Sequence, residues 1–237
     1  MRIEFPRLGG SAIACAVALL VTCAVPAHAQ SDEQKRVTDS SAVLETLVRT
    51  PDQEIPQHIL DRAEAIVVIP SLVKGGFIIG AQHGRGIMSV RDRERNRWSA
   101  PGFVALTGGS IGWQIGVQAV DLVLLVMNRD GVKDLLDNEF KFGANASVAA
   151  GPVGRQGEAS TDASLNAQIL AYSRAKGLFA GLSLEGASLR VDKDANKDFY
   201  GSPISTEEMV RGVAKTTPGG NQWTATLTRL VPPNATR

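Results

Sequence analysis

The sequence predicts an α+β fold, with a mostly antiparallel, strongly curved or barrel-like β-sheet and helices at the N- and C-terminal ends. Residues 110–119 alternate strictly between apolar and small or polar side chains, and residues 140–150 alternate in the same way. That period of two is typical of a half-buried strand. Eight to ten short predicted strands with little helix between them favour an antiparallel sheet. Glycine is frequent inside these strands, as it is where sheets bend sharply.

The most apolar part of the sequence, residues 98–128, is long enough for a transmembrane helix but does not have the pattern of one. It contains a single charged residue, Asp121, besides Gln114, Gln118 and several glycines. A spanning helix would bury Asp121 at a cost of roughly 3 kcal/mol, and its glycines would weaken the helix further. We therefore predict about three strands here, of which residues 122–127, apolar on both faces, form a central strand.

The remaining elements follow from local periodicity and from turn residues. Apolar residues at helical spacing predict an amphipathic helix over 31–49, which packs on its own domain or lies on a membrane surface. The tail carries Trp223, Leu227 and Leu230 at helical spacing, so we expect it to dock. Further strands are predicted over 65–70, 76–84, 86–91, 167–174, 177–184 and 187–191, and further helices over 56–62, 132–138 and 205–214.

Residues 1–29 have the features of an export signal. Arg2 and Arg7 precede a short apolar core, and Ala27-His28-Ala29 is a small-x-small cleavage site. An alternative is acylation at Cys23, which follows a loose lipoprotein motif. The predicted organisation is a signal peptide (1–29), an N-terminal helical segment (30–62), a β-rich core (63–201) and a C-terminal helix and tail (202–237).

Charge and cysteine content exclude several classes of function. Residues 1–29 contain two arginines and one glutamate, so the rest of the chain has equal numbers of basic and acidic residues. A nucleic-acid-binding protein would be expected to have a basic excess. Both cysteines, Cys15 and Cys23, lie in the signal, so the remaining chain has no disulfide, thiolate metal site or cysteine nucleophile.

Two motifs suggest chemistry, but neither has the sequence context that it needs. Residues 108–112 match G-x-S-x-G around Ser110, yet the nucleophile elbow requires a helix after the serine and a histidine further on. A strand is predicted there, and the last histidine is His83. His58 and His83 lack metal-ligand spacing. We predict no catalytic residue, no metal and no cofactor, and hence a protein that is not an enzyme.

A third motif, residues 91–97 (RDRERNR), is interpreted as a solvated hairpin tip with alternating charges. The alternative is an arginine-rich loop that touches phosphate headgroups.

Several ordered motifs between about residues 40 and 201 resemble the SYLF domain family, of which this chain would be an exported bacterial member of the Ysc84 type. The longest runs almost without interruption from Tyr172 to Gly186. The matching pieces are Ile69-Pro70, Lys74-Gly75-Gly76-Phe77, Gly80, Gly84-x-Gly86, Trp98-Ser99-Ala100-Pro101, Gly112-x-Gln114-x-Gly116, Ala150-Gly151-Pro152-x-Gly154-Arg155, Tyr172-Ser173-x-x-Lys176-Gly177-Leu178-Phe179-Ala180-Gly181, Leu184-Glu185-Gly186 and Tyr200-Gly201.

The resemblance implies phospholipid binding, since relatives bind phosphoinositides and some bind actin. An exported member would meet anionic phospholipid in the periplasm or outer envelope. Basic loops would contact the headgroup, and the amphipathic helix or the hollow of the sheet would contact acyl chains. The alternative is a structural or protein-interaction module of the envelope with a protein partner. The candidate lipid-binding residues are Lys35, Arg36, Arg49, Lys74, Arg85, Arg155 and Lys176.

Overall fold

The structure, a computed structural model, describes residues 31–51, 54–136, 139–144, 147–154, 167–176, 178–179, 182–211, 214 and 216–233. At residues 76–79, 110–116, 179, 206 and 209–210 it describes the backbone alone. The predicted export signal and Arg155 lie outside the described residues.

The described chain begins and ends with helices, and most of the residues between them form strands. The helices are α1 (Asp32–Arg49), α2 (Gln57–Arg62), α3 (Arg129–Leu136), α4 (Lys193–Tyr200), α5 (Thr206–Arg211) and α6 (Pro218–Leu230). The strands are β1 (Ala65–Asp92), β2 (Arg97–Trp98), β3 (Gly102–Val126), β4 (Glu139–Lys141), β5 (Val148–Ala150), β6 (Ile169–Ala175), β7 (Leu178–Phe179) and β8 (Ser188–Val191). Every described strand pair is antiparallel except β5 with β6. The predicted α+β class with a strongly curved sheet is confirmed.

Strands β1 and β3 form one long antiparallel ribbon. Ala65 pairs with Val126 at one end, and Met88 pairs with Gly102 near the other. The separate strands predicted over 65–91 and over 98–128 were therefore wrong, because residues 65–92 form one continuous strand and residues 102–126 form another. Interstrand hydrogen bonds satisfy the backbone on both sides of the glycines, so the glycines and two register shifts bend the ribbon without ending it. The prediction of strand in place of a membrane helix over 98–128 is confirmed.

The ribbon folds back on itself, so that the two halves of β1 lie side by side. The Arg91 N–H donates to the Glu64 carbonyl over 2.7 Å. A Cβ atom on Gly86 would lie 2.1 Å from the Val68 carbonyl oxygen, and one on Gly84 would lie 3.2 Å from the Leu72 Cα. Such an approach requires glycine, because any side chain would push the two halves apart.

The fold-back leaves a bent, two-stranded segment between the two halves of the ribbon. It consists of residues 73–81 of β1 and 109–119 of β3, and we call it the ribbon arm. Its base is the point where Leu72 meets Gly84. Beyond the arm, β3 pairs through Asp121–Val126 with β6 and through Val104–Thr107 with β8.

The sheet carries a hydrophobic core on each face. On one face α1, α2 and α6 cover side chains that include Ile66, Phe103 and Tyr172. On the other face α3, β4 and β8 cover side chains that include Val67, Leu106 and Leu124. The central strand predicted over 122–127 is confirmed for residues 122–126, which are fully buried between β1 and β6, whereas Met127 lies beyond the end of β3.

The N-terminal helix α1 packs on its own domain. The Ser31 hydroxyl caps it by accepting from the Gln34 N–H, as expected for serine at an N-cap. Val37, Leu44 and Leu47 are buried in the core. The predicted helix is confirmed, and its apolar face already contacts protein, which leaves only its polar face open to a membrane surface. Among the described helices, none has the length and apolarity needed to cross a membrane.

The C-terminal helix α6 docks as its spacing predicted. Its Trp223, Leu227 and Leu230 are buried, and the Trp223 indole N–H donates to the Ser89 hydroxyl on β1 over 2.8 Å. The Thr217 hydroxyl accepts from the Gly220 N–H and caps the helix, with Pro218 in its first turn.

Three local predictions need correction. The alternating strand over 140–150 is two short strands, β4 and β5, because the chain turns at Gly143, which has a positive φ. Of the strand predicted over 177–184, the described residues form strand only at Leu178–Phe179. The half-buried strand over 110–119 is a strand, but Val117, expected on its buried face, is 81% exposed. The ribbon arm carries that residue away from both cores.

Candidate functional site

The ribbon arm is the part of the described chain that lacks a covering layer. None of its residues whose side chains are described is buried. Val73 is 47% exposed and Val117 is 81% exposed. Together with Leu178, at 64%, they are the large hydrophobic side chains that stand exposed among the described residues. An apolar surface left open in this way is typical of a site of interaction.

The arm contains no acidic residue. Across 73–81 and 109–119 the only charged side chain is Lys74. The nearest carboxylate on β3 is Asp121, just outside the arm, and its Oδ1 accepts from the Ser71 N–H over 3.0 Å. Asp121 also stands opposite Arg174 of β6 in the strand register. Asp121 is thus already engaged by a protein group.

The turn between β6 and β7 lies beside the base of the arm. The pairing of Asp121 with Arg174 brings the end of β6 to this level, and the chain then turns through Lys176. Lys176 is exposed and has a φ of 48°. Leu178 follows it, so an exposed cation and an exposed apolar side chain stand next to the arm.

Three of the seven predicted lipid-binding residues gather at this base. Lys74 lies two residues beyond Leu72, Arg85 lies one residue beyond Gly84, and Leu72 contacts Gly84. Lys176 reaches the same level from β6. None of the three cations makes a hydrogen bond or ion pair with another described residue. The base of the acid-free ribbon arm thus carries three cations without a described partner.

The other predicted residues stand elsewhere. Arg49, exposed in the last turn of α1, has no partner among the described residues. Lys35 is exposed but ion-paired with Asp39 over 2.5 Å. Arg36 is 7% exposed, pairs with Asp192 over 3.1 Å and lies over the Phe103 ring. Arg36 thus faces the protein interior.

The arginine-rich residues 91–97 form the hairpin tip that the sequence predicted. Arg93 pairs with Glu64 over 2.9 Å, and Arg95 pairs with Asp92 over 3.1 Å. Arg91 is buried over the Trp98 ring and donates to two carbonyl groups, and burial together with Arg93 lowers its pKa to about 10. These guanidinium groups line a groove of about 290 Å³, but much of their charge is neutralised by the protein itself.

The G-x-S-x-G motif lies inside β3. The backbone is extended both before and after Ser110, whereas a nucleophile elbow needs a strand, a sharp turn and a helix. Among the described residues, no group of three or more histidine, cysteine, aspartate or glutamate side chains could hold a metal ion.

Sequence reasoning missed the exposed apolar side chains Val73, Val117 and Leu178. A period of two shows that a strand has two unlike faces, but both faces of a projecting ribbon can meet solvent. The available signal was the absence of acids along the arm, combined with glycines that allow it to bend.

One family model and several known proteins match the chain. The family model described as "Ysc84: Las17-binding protein actin regulator" matches residues 107–230, which include the β3 half of the arm. Protein YSC84 of Saccharomyces cerevisiae is 34% identical over 173 residues, 72% of this chain and 36% of that protein. LAS seventeen-binding protein 3 of the same species is 36% identical over 164 residues, 68% of this chain and 35% of that protein.

A human relative extends the comparison beyond yeast. SH3 domain-containing YSC84-like protein 1 of Homo sapiens is 31% identical over 191 residues, 79% of this chain and 55% of that protein. The chain thus spans about a third of the length of the yeast relatives and about half of the human one.

Proposed function

This chain belongs to the Ysc84 (SYLF) family, and on that premise we propose that it is a non-enzymatic module that binds anionic phospholipid at a membrane surface. The observation that carries the proposal is the base of the ribbon arm. There Lys74, Arg85 and Lys176 have no hydrogen-bond or ion-pair partner among the described residues, and the adjoining apolar arm contains no acid. Phosphate is the headgroup chemistry that such free cations select.

The expected affinity is modest and depends on salt. Each basic residue near an anionic membrane contributes about 1 kcal/mol, so three contribute about 3 kcal/mol, roughly a hundredfold in affinity. This attraction falls off within a Debye length of about 10 Å at 0.1 M salt. Arg49 is a secondary candidate, because it has no partner among the described residues but lies at the end of α1, with no described contact with the arm. Arg155 stays a candidate from the resemblance alone.

The test is flotation of the chain from Gln30 onward, which contains every described element, with vesicles of phosphatidylcholine alone or mixed with phosphatidylglycerol. We expect binding only to the mixed vesicles, and weaker binding at high salt. Simultaneous Lys74→Gln, Arg85→Gln and Lys176→Gln should reduce the affinity roughly a hundredfold. Vesicles with a phosphoinositide would show whether headgroup identity matters beyond charge.

A matched triple variant separates position from net charge. Lys133→Gln, Arg190→Gln and Arg211→Gln remove the same charge from exposed ion pairs, which contribute little to stability. This control should bind almost as the unmodified chain does. Equal losses in both triple variants would mean that only net charge matters, and absence of binding to anionic vesicles would refute the proposed function.

A second candidate function is a protein-interaction module, with or without membrane contact. The names of the matched yeast relatives favour it, since one is a LAS seventeen-binding protein. Such a partner would be retained in a pulldown with purified chain whether or not vesicles are present. If a partner is retained in the pulldown and the chain does not float with vesicles, protein interaction is the better supported function.

For location, we propose export to the periplasm or outer envelope after cleavage following Ala29, with acylation at Cys23 as the alternative. The support is the composition of residues 1–29. Intact mass spectrometry of the protein from its native cells should give the mass of a chain that starts at Gln30. A mass with added acyl chains on Cys23 would refute simple cleavage.

A further inference from the structure

We infer that the ribbon arm enters the lipid layer, with its apolar side chains among the upper acyl chains and the cations at its base among the headgroups. This inference rests on the proposed function, which by itself requires only headgroup contact. The starting observation is that Val73 and Val117 of the arm and Leu178 beside it are exposed to water.

The composition of the arm fits an apolar medium. Lys74 is its only charged residue, so the segment between Lys74 and Arg85 on β1 and the whole of 109–119 are uncharged. Its sequence is rich in large hydrophobic residues, which are Val73, Phe77, Ile78, Ile79, Ile111, Trp113, Ile115 and Val117. Such a segment on a protein surface gains free energy when it leaves water.

The length of the arm suits the outer part of one leaflet. Eleven residues of β1, 73–83, leave the base and return to it, so the tip lies at most about 20 Å from the base at roughly 3.3 Å per residue. The headgroup region of one leaflet is about 5–7 Å thick. An arm seated with its base at the phosphates would therefore pass the headgroups and reach the acyl chains.

The backbone sets the limit to this depth. In the arm, β1 and β3 pair with each other, and no other described strand pairs with either of them there. The outer edges keep unpaired N–H and C=O groups, which are costly in hydrocarbon. The arm should thus stay shallow, where water and headgroup oxygens still reach those groups.

The charges at the base favour an anionic lipid surface as the occupant. Lys74, Arg85 and Lys176 have no described partner, and the nearby Asp121 is already engaged by the Ser71 N–H. The aliphatic stems of lysine and arginine can lie along apolar surface while their charged ends stay in the headgroup layer. An apolar arm with cations at its base therefore matches the two layers of an anionic leaflet.

A single-cysteine label tests insertion directly, because the chain from Gln30 onward contains no cysteine. Val117→Cys, labelled with an environment-sensitive fluorophore, should shift its emission to the blue with phosphatidylglycerol-containing vesicles. Nitroxide lipids labelled near the headgroup should quench it more than lipids labelled near the methyl end. The matched control is Ala225→Cys on the exposed face of α6, which should show neither effect.

Flotation of the same labelled proteins separates this inference from the function on which it rests. If the labelled Val117→Cys protein floats with the vesicles but its emission does not shift, insertion is overturned and headgroup binding stays intact. Loss of flotation by both labelled proteins, including the Ala225→Cys control, would overturn the proposed function itself. If the emission shifts without vesicles and the shift depends on protein concentration, the arm binds a second copy of the chain. That result would overturn insertion in favour of edge-to-edge pairing of two arms.

A pair of polar substitutions gives a second readout. Val73→Ser with Val117→Ser should weaken binding to anionic vesicles about tenfold and leave the melting temperature unchanged, because both side chains are exposed. This loss should persist at high salt, unlike the loss from the cation variants. Ala225→Ser is the matched control, and equal binding by the control and the paired variant would contradict insertion.

Discussion

Replacing Gly86 with alanine is expected to lower the free energy of unfolding by about 3 kcal/mol, at the upper end of the cost of overpacking a core. The new Cβ would lie 2.1 Å from the Val68 carbonyl oxygen and 2.9 Å from the Ile69 Cα. Both are backbone atoms, so no side-chain rotation can relieve the contact. The two halves of β1 would have to separate, and the buried side chains on both faces would lose packing. Urea unfolding followed by circular dichroism measures the loss.

Gly109→Ala is the matched control for this variant. It makes the same chemical change in the same ribbon, but a Cβ there meets nothing within 4 Å. Its effect should stay within about 0.5 kcal/mol, since alanine also restricts the unfolded chain. If both variants unfold at the same urea concentration, the close approach of the two halves of β1 is not present in solution.

Replacing Trp223 with alanine is expected to cost about 4 kcal/mol, as large-to-small substitutions of buried aromatic residues do. Trp223 is fully buried and is among the largest buried side chains of the described structure. Its indole N–H donates to the Ser89 hydroxyl, so the substitution removes both the packing of α6 on the sheet and a buried hydrogen bond. Thermal and urea unfolding both report the change.

Two further variants divide this effect into its parts. Trp223→Phe keeps most of the ring and loses the hydrogen bond, so about 1–2 kcal/mol is expected. Asn221→Ala, at an exposed position of the same helix, should change stability little. A Trp223→Ala effect no larger than that of Asn221→Ala would show that α6 does not contribute to the folded core.

The two ends of the described fold could be predicted from sequence because their signals are local. The helices α1 and α6 each present apolar residues at a spacing of three or four, and each begins at a hydroxyl side chain that caps it. The helix predicted over 205–214 also begins with a local signal, since Ser205 and Glu208 exchange hydrogen bonds. These features depend on neighbours within about one helical turn.

The middle of the chain could be predicted only in part. Strand character over 98–128 followed from its alternation and glycines, but the number of strands did not. A glycine ends a strand when no partner strand holds the backbone, and bends the strand when one does. The partner of β1 is β3, which lies up to about 60 residues away in sequence. Register between such distant segments cannot be read from local periodicity.

The sequence alone determined the fold class, the helices at both ends, the absence of a charged residue other than Lys74 in the arm, and the candidate cations that the family resemblance pointed to. The tertiary structure alone decided which cations stand together: it brought Lys74, Arg85 and Lys176 to one place and turned Arg36 into the core against Asp192. It also decided that Val117 faces water. The physical reason is that periodicity records which side chains share a face, whereas long-range strand pairing and the fold-back at Gly84 and Gly86 decide what that face meets.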